Sequence, residues 1–91
     1  MAMPFVAEKD PAAVLDYQFN WAEWLAGDTI SASTWTAEEG LTVEDDDFTS
    51  VLTTVWLSGG AVGITYAVTN RIVTAGGRTD ERTLRLVMVE K

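Results

Sequence analysis

The chain has 91 residues, no cysteine, no histidine and a formal charge of −8, from 14 acidic and 6 basic residues. That length fits one domain near the lower limit for an unaided core. The missing residue types exclude disulfide staples, thiol nucleophiles, histidine bases and ordinary zinc or haem ligation, and a net-negative surface repels nucleic-acid phosphates.

In chain order, residues 1–11 carry two prolines and no clear period. They read as an extended N-terminal arm outside the core, with 12–91 as the folded domain. From Val14 the pattern becomes period two. Leu15, Tyr17, Phe19 and Trp21 alternate with Asp16, Gln18, Asn20 and Ala22, which predicts a half-buried strand. A helix over 12–25 competes on its alanine, leucine and glutamate content, but the aromatic alternation and the missing cap favour the strand. Gly27-Asp28 then breaks the pattern as a turn. Residues 29–36 are a Thr/Ser-rich strand with Ile30, Ala32 and Thr34 opposite Ser31, Ser33 and Trp35.

After a turn at Glu38-Glu39-Gly40, residues 41–44 make a short strand and 45–48 a loop. Strands follow at 51–58, 64–75 and 82–89. Gly76-Gly77 is the tip of the hairpin joining the last two, with at least one glycine at positive φ. About seven short strands, with turn signals at roughly 8–12-residue intervals, predict an all-β fold, a small antiparallel β-sandwich.

Three features tempt a chemical reading. Gly59, Gly60 and Gly63 resemble a phosphate cradle, but that needs a following helix and a nearby lysine. Here a strand follows, and the only lysines are Lys9 and Lys91, close to the two ends, so the glycines supply turn geometry. The run Glu44-Asp45-Asp46-Asp47 offers oxygen ligands, but its spacing is not that of an EF-hand. A solvated acidic loop is the favoured reading, and calcium at these carboxylates stays open. Of the four tryptophans, Trp21, Trp35 and Trp56 lie on strand patterns and read as core. Trp56, in mid-strand, is expected to be largely buried. Trp24 stands beside a turn, where an exposed ring can anchor an interface. No carboxylate pair stands out as a catalytic dyad, and no catalytic, cofactor-binding or metal residue is expected.

Charge is uneven. Eleven acidic residues and one lysine precede Arg71, whereas five basic and three acidic residues occur from there on. Arg71, Arg78, Arg82 and Arg85 all fall in the last hairpin, so a basic patch facing an acidic neighbour is expected to mark a protein–protein contact. The candidate contact residues are Phe5 in the arm, Trp24, Arg78, Arg82 and Arg85. No apolar run is long enough to span a bilayer, and neither membrane nor nucleic acid is an expected partner.

The blocks TISASTWT, VWLSGG, YAVTNRI and GRTDERTLRL resemble a family of small tailed-bacteriophage structural proteins of the fiber–tail adaptor or attachment kind. The resemblance covers nearly everything beyond the arm. It implies an immunoglobulin-like sandwich built into a virion without enzymatic activity, present in multiple copies and contacting other phage virion proteins. Assembly would take place in the host cytoplasm, and the arm could add a strand to a neighbour's open sheet edge. The alternatives are a capsid decoration or minor capsid protein, and a carbohydrate- or receptor-binding module. Aromatics that alternate along strands favour assembly over the last of these.

Overall fold

The computed structural model describes residues 5–90; residues 1–4 of the expected arm, and residue 91, lie outside them. The elements are β1 (Phe5–Lys9), β2 (Leu15–Asn20), a single helical turn α1 (Ala22–Leu25), β3 (Ile30–Ala37), β4 (Leu41–Phe48), β5 (Leu52–Gly59), β6 (Thr65–Thr74) and β7 (Thr79–Met88). A four-stranded sheet in the order β1-β7-β6-β3 faces a three-stranded sheet in the order β2-β5-β4. The fold is the expected all-β sandwich. Its sheets follow the immunoglobulin pattern, with the first strand transferred to the sheet of the last.

Period-two burial builds the core. Val55 and Leu57 of β5, Val68 and Ile72 of β6, and Leu84, Leu86 and Met88 of β7 all turn inward and are buried. A ring chain crosses the sandwich. Phe5 meets Phe19 edge-on at 4.7 Å, and Phe19 stacks on Trp35 at 5.4 Å. A polar knot lies within this core. The Trp21 indole N–H donates to Thr53 Oγ1 (3.1 Å) and Asn70 Oδ1 (3.2 Å), and Asn70 Nδ2 donates to Ser33 Oγ (2.9 Å). Buried groups of this kind are tolerated because each finds a partner.

Several expectations change. Residues 5–9, read as arm, form an edge strand paired in parallel with β7, Phe5 opposite Leu84 and Lys9 opposite Met88. The sheet is therefore not purely antiparallel, and this strand joins its own chain's sheet rather than a neighbour's. Lys9 is buried despite its place near the start. Its Nζ donates to the carbonyls of Asp10 (2.8 Å) and Gly59 (3.0 Å), fastening the end of β1 across to β5. Desolvation lowers its pKa, partly offset by Asp10.

Trp56 is only half-buried. Thr53, Val55 and Leu57 take the inner face of β5, and alternation puts Trp56 on the outer one, opposite Asp16 and Asp45. Ile30 and Trp35 were expected on opposite faces, yet both are buried, because a register shift between Ile30 and Ala32 resets the alternation. The acidic run is not a loop but the second half of β4, an exposed edge strand.

The glycine-rich turn behaves as read. Gly59, Gly60 and Gly63 have φ of +84°, +96° and +86°, and β6 follows directly. The hairpin tip does too, with Gly77 at φ +86°.

Candidate functional site

α1 forms where Trp21 and Leu25, four residues apart, can bury the same face of one turn. The Asn20 side chain accepts the Ala22 N–H at 2.9 Å, and the turn ends at Ala26, φ +50°, and Gly27, φ +96°. This geometry leaves Trp24 half-buried beside Trp21, ring centroids 5.6 Å apart.

The last hairpin closes over α1. Arg78 Nε donates to Asp28 at 3.2 Å, Arg78 Nη2 donates to the Leu25 carbonyl at 2.7 Å, and the guanidinium lies 4.3 Å from the Trp24 ring centre. Asp28 in turn accepts the N–H groups of Thr29 and Gly76. The Thr74 hydroxyl, those backbone donors and Arg78 together hold its carboxyl down at about 2.

Arg82 follows a different course. It has the parity of Leu84 and Leu86 on β7, so it projects inward at the end of the sandwich. Its guanidinium lies 4.0 Å from the Trp21 ring centre and 5.7 Å from that of Phe5, and Nη1 donates to the Asn20 carbonyl at 3.0 Å. Burial lowers its pKa, with Asp80 and Glu23 opposing that shift. Among the described residues the ion pairs are Arg71–Glu81 and Arg78–Asp28. Arg82, half-buried, belongs to neither.

Phe5, Asn20, Glu23, Trp24 and Arg82 line a groove of about 560 Å³. Through Phe5 it borders an apolar cleft of about 220 Å³ between β1 and β2, walled also by Val6, Tyr17, Phe19, Trp35 and Leu84. Tyr17 donates to the Glu8 carbonyl at 3.1 Å along this side, and burial raises its phenol. The Trp35 indole N–H is buried with no hydrogen-bond partner among the described residues.

The fold thus gathers Phe5, Trp24 and Arg82 at one groove, with Arg78 against Trp24. Arg85 stands apart, exposed on the outer face opposite Ala67 and Val6. The hairpin arginines are therefore not a single patch, because alternation sends Arg82 inward and Arg71 and Arg85 outward. Sequence reading missed Asp28, whose partners come from residues about 50 positions away, and the cleft residues Tyr17 and Phe19. A strand that places aromatics at its inward positions and then sits at a sheet edge is the signal that could have found the latter. Among the described residues, no group of three acidic side chains is placed to hold a metal ion. In β4 the register shifts between Val43 and Asp45, and Asp45, Asp46 and Asp47 then pair opposite Trp56, Val55 and Thr54.

A family model described as podophage GP4 fiber-tail adaptor protein gp77 matches residues 9–87. The chain belongs to this family. Trp24, Arg78, Arg82 and Arg85 fall inside the matched segment of the adaptor family, and Phe5 precedes it. No curated protein matches the chain. Membership makes it a phage tail component with a structural role in fiber attachment.

Proposed function

We propose that this chain is a non-enzymatic virion protein that joins a fiber to the tail through protein–protein contacts, in several copies per particle assembled in the host cytoplasm. The observation that carries the reading is the adaptor-family match across 9–87. The absence of histidine and cysteine from the sequence supports a binding role over catalysis. The acidic balance supports protein rather than nucleic acid as partner.

The test is to grow phage lacking this gene product and image the particles. Heads and tails that assemble while fibers are missing are the expected result. Fibers attached at normal occupancy without the chain would overturn the reading.

A further inference from the structure

The two long sides of the sandwich are built differently. On one side the edge strand β4 carries Glu44, Asp45, Asp46 and Asp47 in succession, a run of charge that discourages pairing with another chain. On the other side, between β1 and β2, the first residues of β1 are apolar and exposed: Phe5 is 37% and Val6 62% exposed, and Leu15 at the start of β2 is 40% exposed. The cleft between them is apolar, and the groove beside it holds Arg82.

Arg82 is the feature that selects an occupant. Arg71 and Arg78 each have a carboxylate, and Arg85 is exposed to water. Arg82 is partly desolvated, lies against the Trp21 ring with the Phe5 ring further off, and among the described residues donates one hydrogen bond, to the Asn20 carbonyl. A guanidinium has five N–H donors, so several remain for a ligand, and its fork matches a carboxylate. Glu23 and Asp80 influence it from a distance, but neither forms an ion pair with it.

We propose that the groove between β1 and β2 seats an extended segment of a neighbouring virion protein, which places an apolar ring beside Phe5 and a carboxylate on Arg82. Naming the neighbour a virion protein rests on the adaptor reading; the chemistry of the groove does not. The ring fills the apolar cleft, and the carboxylate supplies the ion pair that Arg82 does not form among the described residues.

The smallest probe carrying both groups is N-acetyl-L-phenylalanine, and N-acetyl-L-phenylalaninamide is its control without the charge. Each is titrated into the isotope-labelled full chain while the backbone and indole N–H resonances are followed by NMR. The expected result is that the acid shifts the Trp21, Trp24 and Trp35 indole signals, leaves Trp56 on the far face unmoved, and binds about fivefold tighter than the amide. Arg82→Gln should remove the difference between acid and amide. If that variant folds poorly, the comparison on the unaltered chain still decides.

Equal binding of acid and amide, or shifts that include Trp56, overturn the proposal. Groove shifts that follow protein concentration with no probe added would assign the groove to a second copy and overturn it as well. Either failure leaves the adaptor role untouched, since that role is read from fiber occupancy on particles.

Discussion

The Thr53 hydroxyl donates to Asn70 Oδ1 at 2.6 Å, joining β5 of one sheet to β6 of the other from inside the sandwich. Both residues are fully buried, and the same Asn70 oxygen accepts the Trp21 indole N–H. Asn70→Leu would leave the buried Thr53 hydroxyl without its acceptor and remove part of the Trp21 contact and the half-buried Ser33 contact. The expected loss is about 1–3 kcal/mol by urea unfolding. Adding Thr53→Val should cost less than the sum of the two single changes, since the polar groups then leave together. Strict additivity would show that the knot is not coupled.

Trp21 and Trp56 should separate sharply in an alanine pair. Trp21 is fully buried with a bonded indole, so Trp21→Ala is expected to cost about 3–5 kcal/mol. Trp56 lies half-exposed on the outer face of β5, and Trp56→Ala should fall nearer about 1 kcal/mol. Thermal melts of the two variants side by side test the ranking, and equal losses would contradict the face assignment.

Asp28 sets an acid limit on the hairpin closure. Its carboxyl sits at about 2 in the folded chain, chiefly because of the Thr74 hydroxyl, against 3.8 for an ordinary aspartate. A depressed carboxylate stabilises above its unfolded pKa, and that contribution is lost as pH falls through the folded value. The denaturation midpoint should therefore drop from about pH 4 toward pH 2, and Asp28→Asn should flatten part of that slope. A variant as acid-sensitive as the parent would remove Asp28 from the explanation.

The two glycines of the last hairpin are needed for different reasons. Gly77 has φ +86°, where an L side chain is strained by about 1–2 kcal/mol. Gly76 has ordinary φ, but a Cβ there would stand 2.7 Å from the Asp28 carboxylate. Gly77→Ala should lower the melting temperature with the acid response unchanged, whereas Gly76→Ala should weaken the acid response as well. Measuring melts at two pH values distinguishes them.

Alternation made the inner face of β7 legible, because Leu84, Leu86 and Met88 repeat every second residue, and that of β6 through Tyr66, Val68 and Ile72, although the inward Asn70 interrupts the apolar pattern there. It misled wherever one residue was inserted or a choice of face was open. The shift at Ile30/Ala32 brings Ile30 and Trp35 to the same side, and nothing in TISAS marks it. In β5 both faces carry large apolar residues, so the period was visible while the inward side was not. The partial exposure of Trp24 was legible from its place beside a turn. Whether Arg82 would meet a carboxylate or an aromatic face depended on where α1 docks, and pairings between distant segments leave no local pattern.

β1 and β7 lie side by side and run in the same direction, Phe5 beside Leu84 and Lys9 beside Met88. Tension that enters at Phe5 and leaves at Met88 therefore drags the two strands lengthwise past each other. Every rung of their ladder is loaded at once, whereas an antiparallel pair held the same way would open one rung after another. Lys9, tied to the Gly59 carbonyl, adds a peg at the far end of the same track. A link between a tail and a fiber is pulled whenever the particle is tethered and moving, and this arrangement suits it to bear load. Pulling single molecules through those two points should give one abrupt rupture, and stepwise peeling would show that the parallel pair is not what resists.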